Sequence, residues 1–137
     1  MIVRTSTATW QGGLRDGSGQ MAVGSGAFEG PFTYLSRFED GRGANPEEML
    51  GAALAGCFSM ALAAALERGG HRADRVGTSC AVEFEGGIRR FALTCRARVA
   101  GIEAEAFAAL AEQTRSGCHV AKALSAVDIT LDAALEA

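Results

Sequence analysis

Metal chemistry has little to work with in this chain. It holds four cysteines and two histidines. No CxxC, CxxH or HxxxH spacing joins them, so the usual arrangements that bring zinc ligands together are missing. A basic stripe is missing too. Net charge is −3 and the sequence pI is about 5.4, a balance that disfavours nucleic acid and anionic membrane surfaces as partners. Met1-Ile2-Val3-Arg4-Thr5 leads into no apolar stretch of the kind an export signal needs. The expected location is therefore the cytoplasm, where resting structural disulfides are disfavoured and catalytic ones are allowed. No repeat, linker or low-complexity segment interrupts the chain. What remains is globular in composition, with 48% hydrophobic and 21% charged residues among 137. That length suits a single domain, 1–137, with a real core.

The first third alternates like strands. Val3, Thr5, Thr7 and Thr9 share one face as far as Trp10, and Gly-rich turns follow. Two more short strands are expected near Gln20–Gly24 and Phe32–Arg37. After the loop 40–44, Asn45 suits an N-cap, Pro46 the first helical position and Glu48 the third position of a capping box. The helix should run to about Arg68 and stop at Gly69-Gly70.

The second half opens with a hairpin. Thr78, Cys80, Val82 and Phe84 line one strand face, Gly86-Gly87 turns the chain, and Phe91, Leu93, Cys95, Ala97 and Val99 line the next. A helix over 103–116 should turn Phe107, Leu110 and Ala111 inward and end at Gly117. A short helix over 120–124 and a last strand over 128–132 complete the order βββ–α–ββ–αα–β. The fold class is α+β, with one long helix against a mostly antiparallel sheet of about six strands.

The run from about Met49 to Leu66 approaches membrane-spanning length. Its many Ala and Gly residues and the interrupting Ser59 mark a buried helix of a soluble protein. Its large apolar residues (Met49, Leu50, Leu54, Phe58, Met60, Leu62 and Leu66) go nearly all the way round. Such a helix must be covered on every side, and one sheet covers only one. A second copy of the chain is the simplest cover, so the expectation is an intertwined homodimer built on paired central helices.

Cys57 sits deep in that helix, either as a core thiol or as a reactive one. Cys80 and Cys95 fall on inward strand faces and read as small buried hydrophobes. A reactive Cys57 needs help to ionise at neutral pH. It lies some three turns past Pro46, beyond the reach of the helix N-terminus, so a cation must supply that help. Arg37, in Ser36-Arg37-Phe38-Glu39, is the first candidate and Arg15 the reserve. Cys118 follows Gly117 at the start of a short helix, where free N–H groups favour a thiolate. That suits a thiol that attacks, or leaves from, a disulfide. His119 beside it reads as a solvated or packing residue.

Ser36-Arg37-Phe38-Glu39, the run from Gly43-Ala44-Asn45-Pro46-Glu47-Glu48 into Ala55-Gly56-Cys57-Phe58-Ser59-Met60, and Gly117-Cys118 together resemble the OsmC/Ohr family of hydroperoxide reductases, in particular its OsmC branch. The resemblance covers nearly the whole chain. It implies a dimer of α+β chains with two long central helices and two sites at the interface. It implies that Cys57 is the peroxidatic thiol, attacking an organic hydroperoxide or H2O2, and that Cys118 captures the sulfenic acid as a Cys57–Cys118 disulfide. Arg37 would hold Cys57 as thiolate, and Glu47 would orient Arg37. No cofactor is implied, and the reductant would be a dithiol such as a lipoylated or thioredoxin-like protein. Apolar walls, with Phe32, Phe38, Met49 and Phe58 as candidates, would favour alkyl hydroperoxides.

Two departures stand out. His119 occupies a position the family usually gives to proline, and Arg15 sits where the Ohr branch carries its active-site arginine. Helix geometry adds a constraint. Glu47 and Cys57 lie ten residues apart, about 15 Å along one helix. If both act around one arginine, Glu47 serves the Cys57 of a partner chain. A non-catalytic redox sensor or small-molecule-binding dimer is the alternative reading. A cysteine hydrolase would need a histidine base, and neither His71 nor His119 has the context for one.

Overall fold

The computed structural model describes residues 1–136. Two compact units divide the chain, Met1–Met49 and the residues from Leu50 onward.

The first unit holds an antiparallel three-stranded sheet in the order β1 (Ser6–Gln11), β2 (Ser18–Val23) and β3 (Glu29–Phe32). Strand β1 begins at Ser6, three residues later than the alternation from Val3 suggests. The expected third strand over 32–37 is displaced to Glu29–Phe32, and a short helix α1 (Tyr34–Phe38) takes its place. The cause is local. The Ser36 N–H donates to Thr33 Oγ1 at 3.1 Å, and the Thr33 N–H donates back to Ser36 Oγ at 2.8 Å. This reciprocal cap satisfies two backbone donors and starts a helix where alternation alone reads as a strand. The loop after α1 returns onto β3, where the Ala44 N–H donates to Pro31 O at 3.0 Å. Gly43 makes that return possible. Its φ is +124°, and a Cβ there would meet Pro31 O at 2.8 Å.

Helix α2 (Pro46–Arg68) starts and stops as its sequence dictates. The Glu48 N–H donates to Asn45 Oδ1 at 2.7 Å, which makes Asn45 the N-cap. At the other end Gly70 adopts φ +86°, and the His71 and Gly70 N–H groups donate to the carbonyls of Leu66 and Glu67. That is a Schellman stop, and it satisfies carbonyls the helix leaves open. The helix has 23 residues and a mean hydropathy of 2.0 across 18 of them, enough in length and composition to cross a membrane. Its row Leu54, Phe58, Leu62 and Leu66, four residues apart, is instead fully buried in the core of the second unit.

That core is completed by Phe91, Leu93, Cys95 and Ala97 from β5 (Ile88–Val99), by Phe107 and Ala111 from α3 (Ala104–Gly117), and by Cys118 and Ala121. Each fully buried Leu or Phe side chain contributes about 1.5–3 kcal/mol relative to exposure. The hairpin of β4 (Ala73–Phe84) and β5 turns at Gly86-Gly87 as expected. The opposite face of β5 carries Arg90, Arg96 and Arg98, paired with Glu83, Asp132 and Glu136. These exposed pairs tidy the surface and add little stability.

Six strands are present among the described residues, as expected, but they do not form one sheet. They form two sheets of three, and β6 (Asp128–Leu135) pairs parallel to β5. A parallel partner needs a long crossover, and α3 with α4 (His119–Ala123) supplies it.

Candidate active site

In the second unit, α2 presents Cys57 one residue before the buried Phe58. Cys118 sits where α3 ends and α4 begins. The Cys118 backbone N–H still donates to Thr114 O at 3.1 Å, closing α3. Its carbonyl already accepts from the Lys122 N–H at 3.0 Å, opening α4. Gly117 is thus the last residue of α3 and not a stop beyond it. Extended backbone at Cys118 makes the corner and turns its side chain into the core, where the residue is 4% exposed. Cys57 is half-buried, and all four cysteines are free thiols.

Cys57 and Cys118 lie close enough for their side chains to interact. The Cys118 thiol is pushed above its ordinary 9.0, first by burial and further by its interaction with Cys57. The backbone N–H groups of Ala121 and Val120 pull the other way. Sequence reasoning expected those N–H groups to prevail and favour a thiolate. Burial outweighs them here, since α4 is only five residues long and its end carries little field. His119, the first residue of α4, is exposed. Cys80 and Cys95 behave as the core thiols expected of them, both raised by burial. Hydrogen bonding to Thr78 lowers Cys95 in part.

One feature near Cys57 escaped the sequence reading. The Ser59 hydroxyl donates to Thr78 Oγ1 at 2.6 Å, which pins α2 to β4 two residues past the thiol. A serine in an Ala-rich helix gives no sign of which strand residue it will meet.

In the first unit, Arg37 lies in the last turn of α1, on a helix rather than in a loop or strand end. Its Nε and Nη2 donate to Glu47 Oε1 and Oε2, each at 3.0 Å. This is the two-pronged arrangement that best fits guanidinium to carboxylate. Glu47 is 5% exposed, and the hydrogen bond it accepts is the main cause of a raised Arg37 pKa. The guanidinium is therefore fixed in charge and direction. Phe38 lies 5.1 Å from the Arg37 guanidinium carbon. A cavity of about 340 Å³ includes Met21, Val23, Phe28 and Met49 in its lining. A second, of about 230 Å³, is lined by Trp10, Leu14, Phe32, Thr33, Tyr34, Arg37 and Phe38. Phe32 and Phe38 thus line the Arg37 cavity, whereas Met49 lines the other one. Phe58, also expected as a wall, is fully buried in the core of the second unit. Arg15 stacks over Tyr34 at 4.5 Å.

The family described as OsmC-like protein matches residues 39–132, a span that includes Glu47, Cys57 and Cys118. The chain belongs to the OsmC-like family. It is 35% identical to the peroxiredoxin OsmC of Escherichia coli K12, over 96% of this chain and 95% of that one. Among solved structures it resembles an OsmC-like protein of Mycoplasma pneumoniae, with TM-score 0.76, 14% identity and 99% of both chains covered. It also resembles an organic hydroperoxide resistance protein OsmC of Legionella pneumophila, with TM-score 0.69, 20% identity, and 98% of this chain and 99% of that one covered. Among the described residues no cluster of three or more His, Cys, Asp or Glu side chains is arranged to hold a metal ion.

Proposed function

We propose that the protein is a thiol-dependent peroxidase that reduces organic hydroperoxides and H2O2 through Cys57 and Cys118. The nearness of the two thiols, close enough for Cys57 to raise the Cys118 pKa, carries this reading, because a disulfide forms only between sulfurs that already lie close. The name of the Escherichia coli relative, a peroxiredoxin, and the description of the Legionella structure as an organic hydroperoxide resistance protein support the same class.

The Cys57 thiolate attacks the terminal oxygen of the hydroperoxide. The O–O bond breaks, the leaving alkoxide takes a proton, and an alcohol departs. Cys57 is then a sulfenic acid. The Cys118 thiolate attacks that sulfur, the S–O bond breaks, hydroxide leaves as water, and the Cys57–Cys118 disulfide closes. Two thiol exchanges with a dithiol, from a lipoylated or thioredoxin-like protein, return both cysteines to thiols. Arg37 holds Cys57 as thiolate and Glu47 aims the guanidinium. Because helix rise sets Glu47 about 15 Å from Cys57, the Arg37–Glu47 pair serves the Cys57 of a second chain. The working form is therefore a homodimer of single OsmC-like domains, acting in the cytoplasm in the response to oxidative stress.

Intact mass and peptide mapping test the cycle, after one equivalent of cumene hydroperoxide is added to reduced protein. A loss of two hydrogens, mapped to a Cys57–Cys118 link, is expected. Cys57→Ser should consume no peroxide. Cys118→Ser should consume about one equivalent per site and then overoxidise. Peroxide turnover at the wild-type rate in Cys57→Ser would refute the assignment.

A further inference from the structure

Arg37 is not held by Glu47 alone. The residue before it, Ser36, is 5% exposed, and Asn45, two residues before Glu47, is 7% exposed. Among the described residues Ser36 and Asn45 belong to a short set of buried polar side chains, and they are bonded to each other's surroundings at every polar atom. Ser36 Oγ donates to Ala44 O at 2.8 Å and accepts from the Thr33 N–H at 2.8 Å. Asn45 Nδ2 donates to Ser36 O at 3.0 Å, and Asn45 Oδ1 accepts from the Glu48 N–H at 2.7 Å. The loop between them lies close against α1. A Cβ at Gly41 would meet Ser36 N at 2.9 Å, and one at Gly43 would meet Ser36 Cβ at 3.4 Å.

We infer that Ser36 and Asn45 are positioning residues that lock the end of α1 to the start of α2, so that the Arg37 guanidinium meets Glu47 with both prongs and points one way. Degrees of freedom are the reason. Arg37 and Glu47 sit on different helices, and the chain between them contains two glycines, Gly41 and Gly43, on either side of Arg42. A long arginine side chain has ample rotamer freedom to lose. A two-pronged ion pair with the Arg37 side chain 41% exposed competes with water at one end and is weak support by itself. The buried bonds of Ser36 and Asn45 are shielded from that competition. They fix the two backbones from which the pair grows, as buried supporting shells fix reactive groups elsewhere. Neither residue touches the peroxide or a thiol in this account. Both act through Arg37, and their effect on catalysis rests on the function proposed above.

The test separates the two ideas. In the full-length reduced protein, the hydrogen exchange and 15N chemical shift of the Arg37 Nε–H report the pair directly, whatever the protein catalyses. Ser36→Ala removes the hydroxyl bonds. Asn45→Ser keeps an N-cap hydroxyl for the Glu48 N–H but loses the reach to Ser36 O, so the fold survives in at least one variant. In both, the Arg37 Nε–H should exchange about tenfold faster than in wild type, the effect of losing roughly one hydrogen bond's worth of restraint. An unchanged shift and exchange rate in both variants would overturn the inference. Single-turnover oxidation by cumene hydroperoxide then tests the route to catalysis. Ser36→Ala should slow oxidation in the wild-type background and add nothing to Arg37→Ala, because a residue that acts through Arg37 has no effect once Arg37 is gone. A full additional slowing in the double variant would show that Ser36 acts by another route and would also overturn the inference. If Arg37→Ala oxidises at the wild-type rate while the Arg37 Nε–H of the Ser36→Ala protein exchanges faster as expected, the positioning stands and the peroxidatic role of Arg37 falls.

Discussion

At the scale of single residues, the thiol proposed to attack a sulfenic acid is biased toward its neutral form. Cys118 is raised above 9.0 chiefly by burial, with Cys57 adding to the rise. Two consequences follow with opposite signs. Disulfide closure needs the Cys118 thiolate, so its rate should climb as pH rises toward and past 9.0, which stopped-flow fluorescence or quenched mass spectrometry would follow. Stability of the reduced protein should move the other way. A thiol whose folded pKa is raised stabilises the fold while neutral, fully so below its unfolded pKa. That contribution is lost as pH climbs through the folded value. Above about pH 8.5, the ordinary value for an unfolded thiol, the reduced wild type should lose more thermal stability with rising pH than Cys118→Ala does. An equal loss in both would mean that Cys118 is not the group responsible.

The ion pair divides its two partners unequally. Glu47 is buried and Arg37 is partly exposed. Arg37→Ala therefore leaves a buried carboxylate without its partner, whereas Glu47→Gln leaves a guanidinium that water can reach. Arg37→Ala should be the more destabilising, by about 1–2 kcal/mol after allowance for the exposed end. Urea denaturation of the two variants checks the order. Both should slow Cys57 oxidation. Residue types, spacing and the family resemblance made Arg37, Glu47, Cys57 and Cys118 candidates in the sequence, and the structure brings Arg37 onto Glu47 and Cys57 near Cys118. Ser36, Ser59 and Thr78 were not legible. Their roles depend on which backbone or hydroxyl comes within 3 Å after folding, and a serine carries no mark of that.

Elements were legible where local chemistry decides them. The N-cap at Asn45, the stop at Gly69-Gly70 and the turn at Gly86-Gly87 follow from side chains and glycines near the break itself. Helix α1 was missed because a Thr33–Ser36 cap stands in for the more familiar Thr–Glu pair. The sheet partition and the parallel β6 were missed for a different reason. Alternation tells which face of a strand is buried, and it is silent on which neighbour the strand takes or in which direction it runs. Helix α2 shows both sides of this. Its four-residue row Leu54, Phe58, Leu62 and Leu66 is fully buried, so Leu62→Ala should cost about 2–5 kcal/mol in lost transfer and cavity energy. Ala53→Ser, on the exposed side of the same helix, should cost under about 0.5 kcal/mol in the monomeric chain. Chemical denaturation of both variants would separate the row from the opposite side.

For the whole molecule, a helix that is apolar all round must be covered all round, and the opposite side of α2 is exposed in the single chain. Ala52, Ala53, Gly56 and Met60 recur at helical spacing on α2 and are exposed, Met60 at 79%. Small residues at such spacing allow two helices to approach closely, and a large apolar side chain in their midst gains most from being covered. In a homodimer this stripe would pack on its copy. Met60→Glu would then bring two like charges together across a two-fold axis, with each carboxylate stripped of water, a cost of several kcal/mol at the interface. The substitution touches none of the four residues assigned to the reaction, and in an isolated chain it would replace one exposed side chain with another. It should therefore leave the far-ultraviolet circular dichroism unchanged while sedimentation velocity moves from a dimer to a monomer at micromolar protein. Peroxide turnover should fall with dimer content, because in the proposed dimer each Cys57 would take its Arg37–Glu47 pair from the other chain, and turnover should recover in part as protein concentration is raised. A monomeric Met60→Glu protein that turns over peroxide at the wild-type rate would mean that one chain suffices, and that the pair at the start of α2 does something other than activate Cys57.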